Sequence, residues 1–350
     1  MKFTADYYKD IEEITEIIPN LHALFGSSIF LTGATGMIVS AVADVLLWLN
    51  LKHNANINLI FGGRNRERMI KRFPTHVEGK DFRFIEFDAT KMQNLNVEVN
   101  YIINGASHAD PTSFLNQPVE TMLSSLLGMN SLLELARKNA KCRLLQISSS
   151  EVYGKKESLA PYNEDEYGFV DIMNPRACYP VSKRAADTLC VSYGAEYGVD
   201  TVIVRPGHIY GPSITKSDSR ASSQFIRLAA EGKDIIMKSE GRQMRSYCHT
   251  LDCASAIMTV LLNGERGTAY NISSEKIIVS IKQMAEAFAE AGNVHLIIDF
   301  PSEEERKSYN LMHNSSLDGT RLENLGWKAM FGMKEGAKRT MEEYNNGYNK

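Results

Sequence analysis

Short apolar runs alternate with longer amphipathic stretches from residue 28 to residue 205. Strand-like segments at Ser28–Thr32, 57–61, 82–87, 99–104 and 143–148 are separated by helical patterns at 37–51, 65–72 and 119–139. A further helix is predicted over 175–197, leading into an apolar strand at 201–205. Strands joined by helices of this length imply βαβ crossovers and a parallel sheet covered on both faces. The predicted fold class is therefore α/β, doubly wound. Upstream, Ile11, Ile14, Ile17 and Ile18 fall at helical spacing before Pro19 and Gly26. That pattern predicts a helix on the edge of the same unit, with a contact in an oligomer as the alternative.

From Pro206 the regularity loosens. Gly211-Pro212 and the polar run 213–223 predict a loop, and short mixed elements follow. The expected division is one unit over 25–205 with 235–262, and a smaller lobe from 206–234 and 263–345. Hydrophobic residues at 43% and charged residues at 23% exclude disorder. A net charge of −3 excludes a generalised grip on nucleic acid, which needs surplus cations to displace counterions. Five cysteines without a CxxC pair, and eight histidines without an HExxH, argue against a metal site. The apolar stretch 28–49 is broken by Gly33, Gly36 and Asp44, so no bilayer span is expected. The charged first ten residues and the odd cysteine count point to a reduced, soluble, cytoplasmic protein.

Three segments carry chemistry. Thr32-Gly33-Ala34-Thr35-Gly36-Met37-Ile38-Val39 lies between the first strand and the first crossover helix. Glycines there permit a tight turn and let a dinucleotide pyrophosphate reach the amides at the helix start. Tyr179 and Lys183 stand four residues apart in a predicted helix, on one face. The ammonium is expected to favour the phenolate and make the tyrosine a base near neutrality. Ser148-Ser149-Ser150-Glu151 closes the strand 143–148, at the end where open α/β sheets bind ligands.

Together these segments resemble the extended short-chain dehydrogenase/reductase superfamily, in its NAD-dependent epimerase/dehydratase branch, from about Ser28 to Tyr344. Val204-Arg205-Pro206-Gly207-His208-Ile209-Tyr210-Gly211-Pro212, 243–252 and the tail through Leu325-Gly326-Trp327 match it too. Asn174-Pro175-Arg176-Ala177-Cys178-Tyr179 with Ser-Glu-Val-Tyr-Gly is most similar to UDP-glucuronate decarboxylases, and next to dTDP-glucose 4,6-dehydratases. The resemblance implies a Rossmann sheet with a smaller C-terminal substrate lobe. It also implies a homodimer packed through the helices 119–139 and 175–197.

By that resemblance Tyr179 is the base at the sugar 4-hydroxyl, Lys183 holds the nicotinamide ribose, and Ser149 shares the proton network. Gly33, Thr35, Gly36, Met37 and Ile38 surround the pyrophosphate. Asp88 and Ala89 meet the adenine, Ala106 and Ser107 underlie the ribose, and Pro206 meets the carboxamide. Arg245 faces the substrate diphosphate. His208, Gln224 and Gln243 approach the nucleotide-sugar, and Arg176, His108 and Arg220 are further candidates. Val39 replaces the third glycine of the fingerprint, which implies a helix slightly farther from the sheet. Ser125 stands where the family has Asn.

The end of the second strand, Gly62-Gly63-Arg64-Asn65-Arg66, lacks the acid that takes the ribose hydroxyls of NAD. Arg64 and Arg66 suit a 2′-phosphate, so NADP is an alternative to the NAD this branch retains. Ser150 replaces the Asp of 4,6-dehydratases while Glu151 is kept, as in decarboxylases. The expected activity is oxidation at C4 of a nucleotide-sugar followed by decarboxylation of UDP-glucuronate. A 4-epimerase, a 4,6-dehydratase, a 4-dehydrogenase and a non-catalytic dinucleotide-binding regulator are the alternatives.

Overall fold

The structure is a computed structural model and describes residues 3–107, 109, 111–215, 218–299 and 314–347. Its centre is a seven-stranded, all-parallel sheet. The strands are β1 (Ser28–Thr32), β2 (Asn58–Gly63), β3 (Arg83–Glu86), β4 (Tyr101–Asn104), β5 (Arg143–Ile147), β6 (Asp200–Pro206) and β10 (Ala269–Ile272), in the order β10-β6-β5-β4-β1-β2-β3. The residues of β1, β5 and β6 are mostly buried, as a sheet covered on both faces requires, while the edge strand β3 is exposed or half-buried. The order reverses between β1 and β4, where Thr32 pairs with Gly62 on one side and Asn104 on the other. A crevice at that switch point is where such a sheet binds ligands.

One face is covered by α2 (Met37–His53), α8 (Thr250–Asn263) and the N-terminal α1 (Ala5–Glu16). Tyr7, Ile11 and Ile14 of α1 are fully buried in this layer, so the helix packs on its own unit. Thr4 caps α1 by accepting from the Tyr7 amide. On the other face α5 (Pro118–Lys138) and α6 (Cys178–Tyr197) pack side by side through Met129, Leu132, Leu133, Ala186 and Cys190. Two short helices complete this part, α3 (Arg66–Arg72) and α4 (Pro111–Asn116). The latter is not visible in the periodicity, because six residues carry no repeat.

The smaller lobe has its own core, in which Phe225, Ile226, Ile235, Met284, Phe288 and Met341 interlock. It contains β7 (His208–Tyr210), α7 (Ala221–Ala230), β8 (Ile235–Met237), β9 (Met244–His249), β11 (Ile278–Ser280), α9 (Ile281–Gly292), β12 (Leu296–Ile298), β13 (Asn314–Ser315) and α11 (Met333–Gly347), while α10 (Thr320–Glu323) sets Leu322 into the core of the large sheet. Two boundaries drawn from sequence move. Strand β10 joins the large sheet, pairing with β6, and β8 pairs with β12 in the lobe. Both strands are too short for their partners to be read locally. Residues 175–177 form a 3-10 turn rather than the first turn of α6, with the Asn174 side chain accepting from the Arg176 amide. Among the described residues, no helix is long and apolar enough to cross a membrane.

Candidate active site

The turn after β1 is the first wall of the site. Gly33 has φ +75, and a Cβ there would lie 2.7 Å from the Gly105 carbonyl. Glycine is required at that point. Gly36 precedes α2 and no side chain caps the helix, so its first-turn amides are left without acceptors and face a cavity of about 310 Å³. Val39, in place of a third glycine, is buried in the core. The space it needs comes from Gly105 just past β4, where a Cβ would meet Val39 Cγ2 at 2.3 Å. The lost glycine is thus repaid across the sheet.

Helix α6 projects Tyr179 and Lys183 into the same cavity. Both are buried, at 7% and 4% exposure. The Tyr179 ring stacks on Phe114 with centroids 4.4 Å apart, and the Ser149 hydroxyl is close enough to favour its ionised form. Ser149 also accepts from the Glu151 amide at 3.2 Å, which fixes its position at the end of β5. The phenol is pushed above its ordinary range by burial and then by the Glu151 charge, while Ser149, Arg220 and Arg176 pull the other way. Lys183 Nζ lies 5.8 Å from the centre of the Tyr179 ring and donates to the Ile147 carbonyl at 2.9 Å. Burial lowers Lys183 to about 8, against the pull of Asp187 one turn further along α6. Asp187 accepts from Ser148 at 2.9 Å and pairs with buried Arg205 at 3.3 Å.

A second cavity of about 560 Å³ continues from the first and shares Ser150, Glu151 and His208 with it. Arg245 and Arg176 line it. Glu151 and Arg176 form a bidentate pair, both contacts at 3.1 Å. His208 opens onto both cavities and its side chain is exposed there. The protein walls around it, with the charges of Arg245 and Arg220, lower it to about 4 and keep the imidazole neutral. Arg220 lines the first cavity and is held by Asp218, Nε to Oδ1 at 2.9 Å.

The structure thus brings together Gly33, Gly36, Met37, Ile38, Ser107, Ser149, Ser150, Glu151, Tyr179, Lys183, Pro206, His208 and Arg220 on one cavity, and Arg176 and Arg245 on its extension. Thr35 stays within the turn, and the Ala106 amide donates to Thr32 Oγ1 at 3.3 Å, off the wall. Arg64, Asn65, Asp88 and Ala89 lie at the ends of β2 and β3, also off it. Asn65 caps α3, Asp88 accepts from Thr90, and Arg66 is drawn onto Glu78 at 2.8 Å. That pair lies at the surface, outside the cavity. Gln224 is exposed and donates to the Ser219 carbonyl, because its neighbours Phe225 and Ile226 turn into the lobe core. Gln243 also misses both walls, its carbonyl accepting from the Ile281 amide. Ser125 donates back to the Thr121 carbonyl within α5. His108 lies outside the described residues.

Sequence reading missed Phe114, Gly105 and Asp187. The first lies on a helix without periodicity. The other two had a signal: a glycine directly after a strand, and an acid continuing the Tyr179–Lys183 face. A larger cavity of about 1080 Å³, between α1 and α2, contains none of the expected site residues.

The family model described as the NAD dependent epimerase/dehydratase family matches residues 29–273. The chain is 27% identical over 320 residues to UDP-glucuronic acid decarboxylase 1 of Danio rerio, covering 91% of this chain and 72% of that protein. It is 28% identical over 324 residues to UDP-glucuronic acid decarboxylase 6 of Arabidopsis thaliana, covering 90% and 88%. The dTDP-glucose 4,6-dehydratase of Bacillus anthracis, solved in complex with NAD, superposes with a TM-score of 0.73 at 19% identity, covering 92% of this chain and 97% of that one. With the family model spanning most of its length and the site built at the family's strand ends, the chain belongs to the NAD-dependent epimerase/dehydratase family.

Proposed function

We propose that this protein binds NAD and a UDP-sugar, oxidises the sugar at C4, and decarboxylates UDP-glucuronate to a UDP-pentose. The residues present fit the dinucleotide. The uncapped amides of α2 suit a pyrophosphate, and Lys183 keeps N–H donors beyond its single carbonyl bond for ribose hydroxyls. NAD supplies a reversible hydride acceptor when bound. Arg64, exposed at the end of β2, is the residue that would meet a 2′-phosphate. The dinucleotide recovered from denatured protein separates NAD from NADP.

Tyr179 takes the proton of the 4-hydroxyl, and the Ser149 hydroxyl steadies both oxygens. Once C4 is a ketone, the C6 carboxylate is β to it. The C5–C6 bond then breaks, CO2 leaves, and the electron pair passes into an enolate on the C4 oxygen. A proton arrives at C5, and reduction of C4 returns the Tyr179 proton to the alcohol. None of these steps needs an acid to expel a hydroxyl.

The observation that carries this reading is Ser150 beside Glu151 at the end of β5, opposite Tyr179, where loss of a C6 hydroxyl would call for a second acid. Incubation with UDP-glucuronate and mass detection tests it. A UDP-pentose with loss of CO2 is expected. Neither a UDP-pentose nor a 4-keto product from UDP-glucuronate overturns it, and a panel of UDP-, GDP-, CDP- and dTDP-sugars then locates the true substrate.

We take the assembly to be a cytoplasmic homodimer. Five buried free thiols suit a reducing compartment. Exposed Val119 and Leu123 on α5 and Val191 on α6 suit a partner.

A further inference from the structure

We infer that Arg176 reads a carboxylate on the sugar, and that it does so by releasing Glu151. This inference rests on the C4-oxidation reading and names how the site would choose an acidic sugar over a neutral one.

The two side chains come from different elements. Glu151 stands just past β5 and Arg176 in the turn before α6, and they meet across the sugar half of the cleft. Arg176 Nη1 donates to Glu151 Oε2 and Nη2 to Oε1, each at 3.1 Å, the planar fork that arginine offers to carboxylates in general. The fork is held in place from behind. Its Cζ lies 4.6 Å over the Phe114 ring, and Phe114 stacks on Tyr179. One ring therefore sets the position of both the reacting phenol and the guanidinium.

The pair is exchangeable. The Arg176 and Glu151 side chains are 39% and 40% exposed, both toward a cavity of about 560 Å³. Half-exposed ion pairs are weak in water, so a second carboxylate can compete for the same fork. A sugar with a carboxylate at C6 brings that competitor; a sugar with a hydroxymethyl group does not. When Arg176 moves to the substrate, Glu151 loses its partner and becomes an open acceptor beside the sugar. With a neutral hexose, Glu151 stays covered. Loss of the carboxylate as CO2 then returns Arg176 to Glu151 and removes one hold on the product. Arg245 and Lys155 line the same cavity, leaving the diphosphate cations of its own.

Equilibrium binding of UDP-glucuronate, UDP-glucose and UDP to the NAD-loaded full chain tests this, in the wild type and in R176Q, R176K and E151Q. R176Q is expected to weaken UDP-glucuronate by about tenfold or more while UDP-glucose and UDP change less than about twofold. R176K, which keeps the charge without the fork, is expected to recover only part of that loss. E151Q is expected to tighten UDP-glucuronate, since the fork is freed and a like charge removed, while turnover falls. Equal weakening of both sugars in R176Q, full recovery in R176K, or weaker UDP-glucuronate binding in E151Q overturns the inference. UDP binding reports folding, and if R176Q fails it, the sign of the E151Q effect decides. Because affinity is read without turnover, absence of decarboxylation in the wild type sinks the proposed reaction separately.

Discussion

Past the end of β1 the wall of the cleft is backbone, and past the end of β5 it is side chain. The dinucleotide half consists of Gly33, Gly36, the uncapped start of α2 and Gly105 opposite Val39. Nothing there titrates, and its shape follows from strand ends that the whole sheet holds in register. The sugar half consists of Glu151, Arg176, His208 and Arg245, brought by four separate segments of chain. Its geometry rests on ion pairs and ring contacts that a ligand can exchange. The difference separates what the fold dictates from what this chain has tuned: dinucleotide binding belongs to the architecture, and the choice of reaction to a handful of polar contacts.

Tyr179 lies on the border of the two halves and is the sharpest probe of that separation. The variant Y179F removes one oxygen and keeps the stack on Phe114. Loss of a general base costs about 10²–10⁴ in rate. Turnover is expected to fall by that factor while the dinucleotide content of purified protein stays within about twofold, since no part of the dinucleotide wall has changed. Steady-state rates beside the ultraviolet spectrum of released nucleotide check it. A Y179F protein that loses its dinucleotide would show that the halves are not separable.

The dinucleotide half fails in a different way. In G105A the added methyl would sit 2.3 Å from Val39 Cγ2 and 3.3 Å from Ile147 Cδ1, on the wall of the cavity. Overpacking of this kind costs about 1–3 kcal/mol. Thermal unfolding of G105A should move down accordingly, with weakened dinucleotide retention because α2 carries the pyrophosphate amides. Shortening the opposing side chain in V39A/G105A should recover most of the stability. If the double variant is no better than G105A, the compensation between Val39 and Gly105 is wrong.

The same contrast decides how much could be read without coordinates. Strands β1 to β6 and the helices between them, α4 excepted, were legible because buried parallel strands are apolar runs, and their crossovers have helical period. The glycine turn was legible because its conformation demands particular residues at particular steps. Tyr179 and Lys183 could be paired by spacing alone. What spacing could not show was the environment: that burial and Glu151 raise the phenol, and that Lys183 spends its first hydrogen bond on Ile147. Gln224 lies off both walls for the same reason: its sequence position fits, but the lobe core that takes Phe225 and Ile226 fixes where its side chain goes. The join of β10 to the large sheet was invisible because that pairing is made across the chain.

Titration offers the gentlest test, since the pKa of Lys183 beside the reacting atoms is held close to neutrality. Lys183, lowered to about 8 chiefly by burial, is protonated below that pH and neutral above it. If its charge is needed beside the nicotinamide ribose, the rate should fall as pH rises through about 8. Stability moves the other way. The unfolded chain keeps the lysine proton to about 10.4, so between these values the unfolded state binds more protons and folding strengthens with pH. A falling rate beside a steady or rising unfolding temperature therefore separates loss of the ammonium from loss of the fold. His208 should leave no mark on the acid side of the same profile. Held at about 4, it is neutral from pH 5 upward, although an ordinary histidine would titrate near 6.5. H208Q is thus expected to raise KM for the nucleotide-sugar a few-fold while the profile between pH 5.5 and 7.5 keeps its shape. An acid limb near 6.5 that disappears in H208Q would show that the imidazole gains its proton when substrate fills the cleft. The sugar half would then act through charge at a residue that is neutral here.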